Sequence, residues 1–184
     1  MKKYLVIGNP VEHSLSPKLH NHWFKKNNIN AVYDKKLIEA EDIRKLIFEI
    51  RNGKIEGINV TVPFKKLVIP FVDELSFEAK ESQSVNTIYK ENNKILGHNT
   101  DLSGFELALR KKSYDIKDKI VFILGAGGVV SSIILALRKM KVSKIIISNR
   151  TRKKAEELKK IFSNLEIVDW GEIPEFNMII NATS

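Results

Sequence analysis

The residues able to do chemistry fall in short, separated stretches. His13-Ser14-Leu15-Ser16-Pro17 sets two hydroxyls two residues apart ahead of a helical pattern. In an extended lead-in, Ser14 and Ser16 would point the same way beside the positive end of that helix, a seat for a carboxylate. Plain capping, with Ser16 as N-cap and Pro17 at the first helical position, is the competing reading. Further on, alternation places Ile58, Val60 and Val62 on one side of a strand and Asn59, Thr61 and Pro63 on the other. That polar row runs into a Pro turn carrying Lys65; a lone lysine is more often a surface charge, and on these residues alone that reading leads. Asn86-Thr87 and Gly97-His98-Asn99-Thr100-Asp101 gather amide, hydroxyl and carboxylate groups at strand ends. They serve either as turn chemistry or as groups that read hydroxyls, and alone the turn reading leads. His13, His20 and His22 lack the ordered spacing of a metal site, so no metal is expected.

Later in the chain, an apolar run at 120–124 breaks at Gly125-Ala126-Gly127-Gly128. Val129, Val130, Ile133, Ile134 and Leu137 then recur at helical spacing. Strand, glycine turn and helix open a nucleotide-binding βαβ unit, whose bare backbone N–H groups can take a pyrophosphate. Glycines at such turns also serve chain geometry alone. A second apolar strand, 144–148, ends at Asn149-Arg150-Thr151. NAD-binding folds place an acid here for the ribose 2′-OH, whereas this chain has Arg150, flanked by Arg152, Lys153 and Lys154. Guanidinium and ammonium groups attract a 2′-phosphate that an acid would repel, so NADP is expected rather than NAD. A solvated basic helix start is the plainer alternative. Val130 stands where the glycine fingerprint normally has a small residue, which predicts a slightly open turn.

The elements that position these groups follow from periodicity. Strands are expected at 4–7, 31–37, 57–63, 144–148, 165–170 and 177–182, with a hairpin over 85–97. Helices are expected at 16–27, 40–52, 73–81 and 102–111, the second with Ile43, Leu46, Ile47 and Ile50 on one face. The pattern specifies an α/β protein of two domains with a cleft between them. Residues 1–101 form an α/β substrate-binding and catalytic domain, and 102–184 an incomplete Rossmann-like NADP-binding domain. With 184 residues, 43% of them hydrophobic, the chain can bury a core. Its net charge of +9 is spread along helix faces and favours small anionic ligands rather than nucleic acid. The absence of cysteine removes disulfides and thiolate chemistry and fits a reducing, cytoplasmic setting. The first apolar run stops at Gly8-Asn9-Pro10, too short for a secretory signal, and no run approaches membrane-spanning length.

In order, His-Ser-x-Ser-Pro (13–17), Asn-x-Thr-x-Pro-x-Lys (59–65), Asn-Thr (86–87) and Gly-x-Asn-Thr-Asp (97–101), ahead of Gly-Ala-Gly-Gly (125–128), resemble the shikimate dehydrogenase family. The resemblance covers essentially the whole chain. It implies that Ser14 and Ser16 hold a substrate carboxylate and that Asn59, Thr61, Asn86 and Asp101 bind ring hydroxyls. It makes Lys65 and Asp101 the catalytic pair, and Asn149-Arg150-Thr151 the family's NADP motif beside Gly125, Ala126, Gly127 and Gly128. The implied reaction is the reversible NADPH-dependent reduction of 3-dehydroshikimate to shikimate, a step towards chorismate and the aromatic amino acids. Hydride transfer between an alcohol and a ketone needs a group to take and return the hydroxyl proton. A Lys–Asp pair sharing a hydrogen bond to that hydroxyl can do this; whether Lys65 exchanges the proton or polarises the oxygen is left open.

The alternatives are mixed quinate/shikimate specificity and a non-catalytic shikimate-binding relative. Gln83-Ser84 departs from the family's common Gly-Ala just ahead of Asn86. The family also continues with a loop along the nicotinamide site and a helix returning to the substrate domain with a Gln. A complete doubly wound domain needs more strands than 102–184 holds, so a fragment truncated at its C-terminus is expected. The expected partner is the small-molecule substrate, with no nucleic acid and no membrane; the sequence admits a homodimer without specifying one.

Overall fold

A computed structural model describes residues 1–183; Ser184, the last residue of the expected nucleotide domain, lies outside the described residues. The chain divides into two compact units, Met1–Thr100 and Asp101 onward.

In the first unit, β1 (Lys2–Gly8), β2 (Ala31–Leu37), β3 (Gly57–Val60), β4 (Glu74–Leu75), β5 (Thr87–Glu91) and β6 (Lys94–His98) form one sheet in the order β2-β1-β3-β5-β6-β4. β1 runs parallel to β2 and β3, and β5 is antiparallel to both β3 and β6. The helices are α1 (Ser16–Lys26), α2 (Asp42–Arg51) and α3 (Phe77–Ser82). The apolar stripe of α2 lies in one core with Leu5, Ile7, Ile58, Val60, Ile88 and Ile95. Each such side chain contributes about 1.5–3 kcal/mol on burial. The hairpin turns through Asn92 and Asn93 at φ 47° and 65°, the left-handed pair that matches strand twist.

Three local expectations are corrected. Residues 73–81 do not form one helix. Asp73 is drawn to Arg51 by two 2.9 Å hydrogen bonds and also accepts from the Ile95 N–H at 2.7 Å. Glu74 and Leu75 then pair with β6, and α3 starts only after Ser76, whose hydroxyl accepts from Ala79 N–H at 3.2 Å. The strand at 57–63 stops at Val60, so Val62 leaves the apolar face and is exposed. Asn86 precedes β5 rather than belonging to it, although its backbone still joins Val60 and His98.

The second unit contains α4 (Asp101–Lys111), β7 (Ile120–Leu124), α5 (Val130–Lys139), β8 (Lys144–Ser148), α6 (Arg152–Ile161), β9 (Leu165–Ile167) and β10 (Met178–Asn181). All its paired strands are parallel, in the order β10-β7-β8-β9. Counted along the chain this is 3-2-1-4, the order of the first four strands of a dinucleotide-binding sheet. The direction of winding reverses between β7 and β10, the position where such sheets bind ligands at their carboxyl ends. Val121, Ile123, Ile134, Leu137, Ile147 and Ala155 are fully buried between sheet and helices. Val130 is fully buried with them, and its N–H donates to Gly127 O at 3.0 Å. The larger residue is thus absorbed by the core and the turn is closed, not open. β9 is shorter than the expected 165–170 because Asp169 N–H turns to the Glu172 carboxylate. Among the described residues, no helix is long and apolar enough to cross a membrane.

Candidate active site

Two of the candidate polar residues of the first unit, Asn59 and Asn86, are joined by one network of hydrogen bonds. Leu15, at φ −86° and ψ −4°, is not extended, and helix α1 starts at Ser16 with no side-chain cap. The capping expectation for Ser16 is therefore corrected. Ser14 Oγ accepts from the Ser16 N–H at 3.3 Å, and Ser16 lies near enough to the Tyr33 phenol to pull its pKa down. Tyr33 donates its hydroxyl to Asn59 Oδ1 at 2.6 Å. Asn59 Nδ2 in turn donates to Asn86 O at 3.2 Å and to Thr87 Oγ1 at 3.1 Å. Asn86 Oδ1 accepts from Thr87 Oγ1 at 2.9 Å and from Thr100 N–H at 3.0 Å. Thus Tyr33, Asn59, Thr87, Asn86 and Thr100 belong to one connected set, with Ser16 beside its Tyr33 end.

Tyr33 was missed as a functional residue by the reading of the sequence. It is buried on β2, with its backbone held by Asn21 through hydrogen bonds of 2.7 and 2.9 Å and its ring stacked on His20 at 4.2 Å. Burial pushes the phenol up to about 12, against the smaller opposing effect of Ser16, so it stays a donor at neutral pH. Burial also pushes the His20 imidazole down, favouring its neutral form. A strand tyrosine whose ring is buried needs a partner for its hydroxyl, and that was the available signal.

Ser14, Ser16 and Thr61 line one cavity of about 300 Å³ with Val6, Pro10 and His13. An open groove of about 620 Å³ beside Gly53, Lys90 and Asn92 holds none of the candidate residues, so chemistry rather than size selects the site. Lys65 is half-buried on the turn after β3, and its carbonyl accepts from Val85 N–H at 2.9 Å. Asp101 follows Thr100 directly and opens α4. Among the described residues, no group of three or more His, Cys, Asp or Glu side chains could hold a metal ion.

In the second unit, Gly125, Ala126, Gly127, Asn149, Arg150, Thr151 and Lys154 surround a cavity of about 330 Å³, closed by Trp170, Ala182 and Thr183. Gly125 N–H donates to Ser148 O at 2.8 Å, tying the turn to the end of β8. Gly125 sits at φ +107°, and a Cβ there would lie 2.5 Å from Ala182 O. Over Gly127, an added Cβ would meet only Ala182 O, at 3.9 Å, so this backbone is open to a ligand. The basic cluster divides. Arg152 is engaged by Glu156 and Asp169, whereas Arg150 and Lys154 face the cavity. Bare backbone at one end and two cations at the other fit a 2′-phosphorylated dinucleotide.

Two family models match this chain. One, described as the shikimate dehydrogenase substrate binding domain, covers residues 6–88; the other, described as shikimate / quinate 5-dehydrogenase, covers 106–184. The chain is 62% identical over 183 residues to the NADP(+) shikimate dehydrogenase of Pelagibacter ubique, covering all of this chain and 69% of that relative. The chain belongs to the shikimate dehydrogenase family. Its structure agrees with family members across its full length. The shikimate dehydrogenase of Aquifex aeolicus is 41% identical with a TM-score of 0.92, and 69% of that chain is covered. The Thermus thermophilus shikimate 5-dehydrogenase, solved with NADP(H) and shikimate, is 31% identical with a TM-score of 0.88, again with 69% of that chain covered. The present chain spans about two thirds of the length of these relatives.

Proposed function

We propose that this chain carries out the reversible NADPH-dependent reduction of 3-dehydroshikimate to shikimate, the shikimate-pathway step leading towards chorismate and the aromatic amino acids. The observation that supports the reading is the network of the first unit, which unites Asn59 and Asn86 through Thr87, with the Tyr33 hydroxyl donating to Asn59. Ser14 and Ser16 take the substrate carboxylate with neutral hydroxyls beside the start of α1. Asn59, Thr61, Asn86 and Asp101 read the ring hydroxyls. Bound NADPH supplies the hydride. Lys65 and Asp101 manage the accompanying proton, giving it to the oxygen during reduction and recovering it during oxidation. Gly125, Ala126, Gly127 and Gly128 receive the pyrophosphate, and Asn149, Arg150 and Thr151, joined by Lys154, receive the 2′-phosphate. A cysteine-free chain carries no disulfide and so suits a reducing compartment such as the cytoplasm.

The test is NADPH absorbance with 3-dehydroshikimate, and the reverse reaction with shikimate and with quinate. Lys65→Ala or Asp101→Asn should lower kcat about a hundredfold or more. An unchanged rate in either variant removes that residue from the chemistry. Arg150→Asp should raise KM for NADPH steeply, and unmoved cofactor preference would exclude it as the 2′-phosphate ligand. Shikimate binding without turnover by the full-length protein would instead favour a binding protein.

A further inference from the structure

One wall of the cavity in the second unit is aromatic, and neither phosphate recognition nor the glycine turn accounts for it. Trp170 lines that cavity together with Gly125, Arg150, Thr151 and Lys154. It is 53% exposed, a large apolar surface left open to solvent beside two cations. We propose that the Trp170 indole is the face on which the adenine base of the dinucleotide packs; the inference rests on the NADP reading of this cavity.

The chain just before Trp170 is fixed to the strand that leads into the phosphate ligands. Val168 N–H donates to Ile147 O at 3.1 Å, and Ser148 Oγ donates to Asp169 O at 3.1 Å. Asp169 is held further by its ion pair with Arg152, and its carbonyl accepts from Glu172 N–H at 3.1 Å. Asn149, Arg150 and Thr151 continue directly from Ser148, so indole and phosphate ligands are carried on one rigid piece. Of the parts of a 2′-phosphorylated dinucleotide, the phosphates suit the cations and the bare turn. The adenine is the part at the 2′-phosphate end with a broad, uncharged aromatic face, and Trp170 is the matching surface. Fixing Arg152 on Asp169 therefore serves the base as well: it steadies the turn that presents the ring and leaves Arg150 and Lys154 to the phosphate.

The experiment uses the full chain with Trp23→Phe, which leaves Trp170 as the single tryptophan of the two in the sequence. NADP+, adenosine 2′,5′-bisphosphate and nicotinamide mononucleotide are titrated while indole emission and binding heat are both read. Emission should change with the two adenine-containing ligands along the same curve as the heat, and not with nicotinamide mononucleotide. Trp170→Ala, checked for native circular dichroism, should raise Kd for both adenine ligands about tenfold. Trp170→Phe should keep Kd within about threefold, because a smaller ring still stacks. NADP+ heat without any emission change, or unaltered affinity in Trp170→Ala, overturns the assignment of Trp170 while leaving the cofactor reading intact. No NADP+ heat with the unaltered chain overturns both.

Discussion

Gly125 and Gly127 lie two residues apart in one turn, yet the structure gives them separate duties, and alanine at each should show this. At Gly125 the backbone φ of +107° is one that residues with a Cβ rarely adopt, and forcing it costs about 1–3 kcal/mol. The new Cβ would also lie 2.5 Å from Ala182 O, 2.7 Å from Ala182 C and 3.0 Å from Thr183 N. Those atoms are backbone, and Ala182 N–H is bonded to Leu124 O at 2.7 Å, so the end of β10 resists retreat. Overpacking of this kind adds about 1–3 kcal/mol, for a total of ~2–6 kcal/mol against typical domain stabilities of ~5–15 kcal/mol. Gly127→Ala meets nothing closer than 3.9 Å and should change stability by less than ~0.5 kcal/mol. Its methyl nevertheless stands on the open backbone proposed to receive the pyrophosphate, and on that reading NADP+ affinity should fall about tenfold or more. Urea titration followed by circular dichroism measures the first effect and calorimetric NADP+ titration the second. An unshifted urea midpoint for Gly125→Ala refutes the steric argument. Unchanged NADP+ affinity in Gly127→Ala refutes the approach of the ligand to that backbone.

Tyr33→Phe removes the donor to Asn59 Oδ1 and should cost ~1–2 kcal/mol of stability. It should also weaken shikimate binding in calorimetry with no effect on NADP+; equal shikimate affinity would mean that the network does not position Asn59. Gln83 closes α3 at φ 49°, a left-handed conformation that glycine adopts freely. Gln83→Gly should raise stability by ~0.5–1 kcal/mol, less whatever the exposed 2.7 Å bond from Nε2 to Lys80 O contributes, and a lower urea midpoint would contradict this. Glu106 is held below its ordinary value of 4.5 first by Lys139 and then by Arg110, at 2.8 and 2.9 Å. Because the folded value is the lower one, its contribution is complete above the unfolded value and is lost as pH falls through the folded one. Acid titration followed by circular dichroism should show part of the second unit's stability disappearing below about pH 4.5, with Glu106→Gln flattening that limb. An identical acid limb in both proteins would count against the ion pairs.

What the sequence made legible was whatever rests on local periodicity. The stripe of α2, the alternation through Ile58 and Val60 and the apolar runs of β7 and β8 each declare a buried face within a few residues. The Asn92-Asn93 turn is similarly local. The failures involve partners distant in the chain. Asp73 reads as helical until Arg51 and Ile95, both 22 residues away, claim its carboxylate. Ser16 has the composition of a cap, but Leu15 is already in the helical region and the Ser16 N–H turns back to Ser14 Oγ, so the helix begins one residue early. Among the clustered cations, sequence spacing could not separate Arg150 and Lys154 from Arg152, because the separation depends on Asp169 lying against α6. The candidate site was legible as residue types in order; the tyrosine that joins them was not, since nothing near Tyr33 in the chain shares its purpose.

The network through Tyr33 also bears on how temperature should act on this protein. Side chains that are already bonded to one another surrender little further freedom when a ligand arrives, so the ordering cost is met during folding and not at binding. Shikimate should therefore bind with a small entropic penalty from the protein while the network holds. Once His20 and Asn21 release Tyr33, affinity should drop over a narrow interval below the main melting transition. Heat would thus disable recognition before it dissolves the sheet.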